Sequence, residues 1–104
     1  MPLDNPSNIT FPASTKGTHN RVSLPANSAR QILDTNASRK SALIQNVSAN
    51  QVTLQLNDIV GAVVGKGIIL LPGGSYEISL LNLHTGKISA ISAGDSEITV
   101  SEAT

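Results

Sequence analysis

An alternation of apolar and polar residues dominates this chain and restricts it to β-structure. The clearest instance is the segment 52–57, VTLQLN, in which every second residue is aliphatic. Because successive side chains of a strand point to opposite faces of a sheet, this spacing places the aliphatic side chains on one buried face. The segments 76–80 and 97–101 repeat the pattern.

Further strands are predicted from shorter and weaker patterns. Two continuous apolar runs, 42–44 and 68–71, are typical of strands covered on both faces, or on one face with a subunit contact on the other. The segment 26–33 is the one stretch that resembles a helix, with a possible cap at Asn27-Ser28, but it is short and we interpret it as a strand. Weaker alternation at 22–24, 29–33 and 87–92 brings the total to about eight short strands.

Turn signals separate these strands at short intervals. They are rich in Gly, Asn and Pro, which tolerate or preset the backbone angles of tight turns. They lie at 36–38, 48–50, 72–74, 84–86 and 93–95. Short strands broken by regular turns predict an all-β fold, an antiparallel β-sandwich of jelly-roll-like type with about eight short strands.

The first twenty residues lack this alternation. They contain three prolines and many small polar residues, so we predict an extended N-terminal arm over residues 1–20 and a sandwich domain over 21–104. Ile9 and Phe11, with the adjacent Pro12, are the arm's candidates for anchoring in a neighbouring molecule. The alternative is that they pack on the arm's own domain.

The predicted domain has almost no aromatic side chains for its core. Only 2% of the chain is aromatic and Cys is absent, so aliphatic side chains supply nearly all of the burial. Domains of this size have small stability margins. We therefore expect a homo-oligomer or a lattice-bound protein, in which contact with copies adds buried apolar area.

Composition argues against several functional classes. Lys+Arg and Asp+Glu are both 7, which gives no basic footprint for nucleic acid, although residues 1–40 carry a net +3 and residues 41–104 a net −3. No apolar run approaches the roughly 18 residues that span a bilayer. We expect no nucleic-acid, membrane or small-molecule partner.

Catalytic and metal-binding signatures are also missing. The two histidines do not form a spaced ligand pair, and no G-x-S-x-G nucleophile motif occurs. The segment 61–67, GAVVGKG, departs from a phosphate-binding loop in spacing and in the residue after Lys66. We expect no enzyme activity, catalytic residue, cofactor or metal. The valines of the loop 58–67 either fold over the core or form a contact tip.

An extended pattern of strands and turns resembles a known family. It comprises ARQIL at 29–33, NASRKSALIQN at 36–46, VTLQL at 52–56, GIILLPGGSYE at 67–77, GKISAIS at 86–92 and ITVSE at 98–102. Over residues 22–102 this is similar to the small β-sandwich head decoration or cement proteins of tailed bacteriophages. The arm is unmatched.

The resemblance implies a structural role. Such proteins bind the outer capsid surface and cement neighbouring major capsid subunits, often as trimers, so the implied partners are the major capsid protein and copies of this chain. The implied location is the virion exterior, after synthesis in the host cytoplasm. Candidate contact residues are Ile9, Phe11, Pro12, Arg21 and Arg39. Arg39 is a donor to a partner carboxylate or, equally, part of a salt bridge within its own chain.

Two other functions remain open from the sequence. A neck, tail or fibre-attachment component of a virion would use the same fold and arm. A carbohydrate- or receptor-binding module is the second alternative, although sugar pockets usually stack on aromatic rings, which this chain nearly lacks.

Overall fold

A computed structural model describes residues 13–56 and 61–104, and these residues form strands and turns without a helix. The predicted all-β class is confirmed. The eight strands are β1 (Gly17–Leu24), β2 (Arg30–Leu33), β3 (Ser41–Asn46), β4 (Val52–Leu56), β5 (Ile68–Leu70), β6 (Ser75–Ile78), β7 (Ile88–Ser92) and β8 (Ser96–Ala103).

The strands form two antiparallel four-stranded sheets. Sheet A has the order β1-β8-β3-β6 and sheet B the order β2-β7-β4-β5. The antiparallel pairs are nested: β4 with β5, β3 with β6, β2 with β7, and β1 with β8. This arrangement is a long hairpin rolled into a sandwich, which is the jelly-roll topology.

The core lies between the two sheets and is aliphatic. Alternate residues of most strands supply it, as the period of two predicts, whereas β2 contributes the consecutive residues Ile32 and Leu33 at its irregularity. Its fully buried members include Leu24, Ile44, Val52, Leu54, Ile78, Ile88 and Ile98. Tyr76 packs against this cluster from a half-buried position.

Strand β1 begins inside the segment predicted to be an arm. Gly17 pairs with Ala103 and Asn20 with Val100, in one continuous register that extends to Leu24 opposite Ser96. Residues 17–20 show no apolar alternation because their side chains are exposed at the sheet edge, so pattern analysis assigned them to the arm. The described sandwich therefore includes them.

The loops gather at two ends of the sandwich. In sheet B, the ends of β2 and β4 lie beside the start of β7, at Leu33, Leu56 and Ile88. The connections that leave this proximal end are 34–40, the β4–β5 connection and 79–87, and residues 13–16 lead into β1 there. The distal end carries the connections 25–29, 47–51, 71–74 and 93–95.

Candidate interaction surface

At the proximal end, the residues just before β1 pair with the residue just after β8. Thr104 N–H donates to the Lys16 carbonyl at 2.9 Å, and the Thr15 N–H donates to the Thr104 carbonyl at 2.9 Å. These bonds extend the β1–β8 ladder beyond the ends of both strands. The segment that precedes β1 is therefore held beside β8 from residue 15 onward.

Arg39 organises the proximal loops from within the protein. Its Nε lies 2.6 Å from Glu102 Oε2, its Nη1 donates to the carbonyls of His84 and Gly86, and its Nη2 donates to the carbonyl of Asp34. The side chain has no solvent exposure. One guanidinium thus joins the 34–40 loop, the 79–87 loop and strand β8.

The proposed role of Arg39 as a donor to a partner carboxylate is therefore wrong. A side chain with 0% exposure and a carboxylate in its own chain does not reach a second molecule. Arg39 instead forms a salt bridge within its own chain, which was the alternative interpretation. The sequence offered no way to choose, because Glu102 lies 63 residues away.

Exposed apolar side chains stand on the two longer proximal connections. Val63 and Val64 are 51% and 41% exposed, and Leu81 and Leu83 are 92% and 42% exposed. Of the seven exposed large hydrophobic side chains in the described residues, these four stand on proximal connections, and the other three are Val47, Ile69 and Leu71. Val63 and Val64 therefore do not fold over the core, and their role as a contact tip stays a prediction.

Local hydrogen bonds hold these loop tips. Val63 and Lys66 form a small antiparallel bridge, and the Gly65 N–H donates to Thr53 Oγ1 at 3.0 Å. In the second loop, the Ser79 N–H and hydroxyl both donate to Asn82 Oδ1, at 2.7 and 2.9 Å. This turn ends β6 at Ile78, two residues before the predicted end, and lifts Leu81 into solvent.

The alternation at 76–80 predicts a strand that ends at Leu80, and this prediction is wrong for its last two residues, because β6 ends at Ile78. The exposed leucines of the 79–87 loop follow that end. The signal that marks the turn is the pair Ser79 and Asn82, three residues apart, whose side chains compete for backbone hydrogen bonds.

The distal end holds a buried polar centre and an open depression. Asn46 is 1% exposed; its Nδ2 donates to the carbonyls of Asn50 and Leu70, and its Oδ1 accepts from Ser48. Beside these turns lies a wide, open depression of about 500 Å³. Its lining residues are Ser23, Leu24, Pro25, Val47, Ser48, Asp95, Ser96 and Glu97.

The outer face of sheet A carries exposed polar pairs. Arg21 Nε lies 3.4 Å from Glu97 Oε1, with 61% of the Arg21 side chain exposed. His19 Nδ1 lies 2.8 Å from Ser101 Oγ. Within residues 13–56 and 61–104, no carboxylate hydrogen-bonds the His19 ring.

The five predicted contact residues thus fall into three groups. Arg21 is exposed on β1, and its role in partner contact stays a prediction. Arg39 is buried. Ile9, Phe11 and Pro12 lie outside the described residues, as does most of the predicted arm.

The described ranges contain no group of three His, Cys, Asp or Glu residues placed to hold a metal ion. Nor does any helix of sufficient length and hydrophobicity to cross a membrane occur in them. No protein-family model, curated protein or solved structure matches this chain.

Proposed function

We propose that this chain is a structural virion protein that binds the outer surface of a capsid and cements neighbouring major capsid subunits. The proposal combines the sequence resemblance to phage decoration proteins with the surface just described. A jelly roll by itself does not decide the matter, because viral capsid proteins and lectins share this topology.

The observation that carries the proposal is the placement of exposed apolar side chains. Val63, Val64, Leu81 and Leu83 stand on connections that leave the proximal end, and the N-terminal segment leads into β1 at the same end. A protein that docks on a shell through these connections would bury these side chains. The predicted arm, with Ile9 and Phe11, would extend the contact to a neighbouring capsid subunit.

Cosedimentation with capsids lacking this protein tests the proposal. We expect the wild-type chain to pellet with the capsids and the double variant Val63→Ser/Leu81→Ser to bind about tenfold more weakly or worse, because two aliphatic side chains no longer leave water on docking. Leu71→Ser is the matched control: Leu71 is 62% exposed but follows β5 at the distal end. Absence of wild-type binding, or equal loss in the control, overturns the proposal.

The distal depression favours one second candidate, a carbohydrate- or receptor-binding module. Asp95, Glu97 and Ser48 supply polar groups for hydroxyl recognition, beside the apolar Val47. Glycan-array binding that is lost on Asp95→Ala, without capsid binding, would identify this function instead.

A further inference from the structure

Among residues 13–56 and 61–104, strand β1 is a long, regular sheet edge with one open side. It stands at the end of sheet A, and its eight residues pair with β8 without a register shift. The other edge strands have three or four residues, and the β2 pairing contains an irregularity between Gln31 and Leu33. Long, uninterrupted edges pair with further strands unless something protects them.

The terminal hydrogen bonds show which residues of β1 face outward. Lys16 and Thr104 exchange backbone hydrogen bonds, at 2.9 and 3.4 Å, so they form a hydrogen-bonded pair. Because such pairs alternate along an antiparallel ladder, the even-numbered residues of β1 direct their N–H and C=O groups toward β8. Odd-numbered residues direct theirs to the open side: Gly17, His19, Arg21 and Ser23.

Strand β1 has few of the features that protect a sheet edge from pairing with another strand. The strand contains no proline, no bulge and a single charged residue, Arg21. The Arg21 guanidinium lies near Glu97 on the neighbouring β8, within the outer face of the sheet, at 3.4 Å. All four outward-directed residues are solvent-exposed.

We propose that β1 pairs antiparallel with β1 of a second copy of this chain, around a twofold axis at Asn20. In this register His19 lies opposite Arg21 of the other copy, Gly17 opposite Ser23, and Asn20 opposite Asn20. The four outward residues of each strand then form hydrogen-bonded pairs with one another, which gives up to about eight backbone hydrogen bonds. The two A sheets join into one eight-stranded sheet.

Neighbouring registers are less favourable. Only shifts by two residues keep the outward-directed groups opposite each other. One shift places Arg21 directly opposite Arg21, and like charges facing each other across a sheet destabilise the pairing. The other places Ser23 opposite Thr15, whose N–H is already donated to the Thr104 carbonyl.

The contact joins the same surface of both copies, so it produces a dimer. It differs in this from the trimer implied by the family resemblance, and it does not depend on the proposed capsid function. Strand pairing alone buries less area than a standard interface, so the association is expected to be weak and concentration-dependent.

Disulfide trapping tests the register directly, since the chain contains no cysteine. In the full-length Asn20→Cys variant the two introduced residues occupy a non-hydrogen-bonded pair, with Cα atoms about 4.5 Å apart, within the range that a disulfide spans. Thr18→Cys is the matched control, exposed on the same strand and face, but about 13 Å from its counterpart in this register. Under mild oxidation we expect a covalent dimer from Asn20→Cys only.

Charge complementation provides a second test that needs no cross-link. Asn20→Lys and Asn20→Asp place like charges opposite each other, and we expect each to raise the dimer dissociation constant by about fivefold. An equimolar mixture should recover the association, which a misfolded variant would not do. Gln45→Lys, exposed on the interior strand β3, makes the same charge change as Asn20→Lys and should leave association unchanged.

The wild-type chain should show a concentration-dependent shift toward twice its mass of 10.8 kDa in sedimentation equilibrium. A monomer at every soluble concentration overturns the proposal. So does equal cross-linking of Asn20→Cys and Thr18→Cys, or a failure of the Lys and Asp variants to associate when mixed.

Discussion

Arg39 and Glu102 form a 2.6 Å ion pair beneath the proximal loops, with no exposure of the Arg39 side chain. The guanidinium also donates to three backbone carbonyls. One of those carbonyls belongs to the 34–40 connection and two belong to the 79–87 connection. Among the backbone hydrogen bonds of the described residues, only the bond from the Asn36 N–H to the Thr85 carbonyl joins these two connections. The geometry of the proximal surface therefore depends on this one side chain.

Replacement of Arg39 should destabilise the fold severely. Arg39→Met leaves the Glu102 carboxylate and three carbonyls without their donor, and we expect a loss of about 3–5 kcal/mol in unfolding free energy. Urea denaturation followed by circular dichroism measures it. Arg21→Met removes the other arginine–glutamate pair, which is exposed, and should cost less than about 1 kcal/mol. Equal losses would contradict the role assigned to Arg39.

We expect Asn46 to stabilise the distal loops as Arg39 stabilises the proximal loops. Asn46→Ala leaves the carbonyl of Asn50 and the buried carbonyl of Leu70 without this donor, which should cost about 2–3 kcal/mol. Asn46→Asp should be worse, because a carboxylate would face the same two carbonyl oxygens. Asn82→Ala, which removes an exposed turn-forming asparagine, is the control and should cost less than about 1 kcal/mol. Thermal denaturation ranks the three variants.

Gly67 is expected to accept no side chain. Its φ is +142°, and a Cβ there would meet the carbonyl oxygen of Leu54, a backbone atom of the adjoining strand. Gly67→Ala should therefore lose more than about 3 kcal/mol. Gly65→Ala changes a glycine at φ +81° that has open space around it, and should cost about 1–2 kcal/mol from backbone strain alone. Similar unfolding midpoints for the two variants would contradict the prediction that Gly67 is the less tolerant position.

Truncation separates the predicted arm from the fold. Deletion of residues 1–12 leaves β1 and its pairing with β8 intact, so we expect a folded protein that binds capsids more weakly if the arm is a clamp. Deletion of residues 1–20 also removes the partners of Val100 and Glu102 and should destabilise the domain. Thermal denaturation and capsid cosedimentation of both variants provide the measurement. Unchanged capsid affinity after the shorter deletion would remove the arm from the proposal.

Much of the fold was predictable because it follows a local pattern. Alternation at 52–57 and 97–101 marks buried faces that the structure confirms at Val52, Leu54, Ile98 and Val100. The start of β1 was not predictable in this way, since His19 and Asn20 join the sheet through backbone pairing with β8 rather than through burial.

The candidate surface was predictable only in part. Glycines around Val63 and Val64 indicated a possible contact tip, whereas Leu81 was hidden by a turn that interrupts an apparent strand. Arg39 shows the limit most clearly. Its orientation depends on Glu102, which lies 63 residues away in the sequence. No local sequence pattern identifies so distant a partner.

The position of β8 has a consequence for how the chain reaches this state. β8 lies between β1 and β3, so these earlier strands have no direct ladder to each other in sheet A. Sheet A is therefore incomplete until β8 has formed. Since its ladder joins residues as distant as Gly17 and Ala103, folding should be slow.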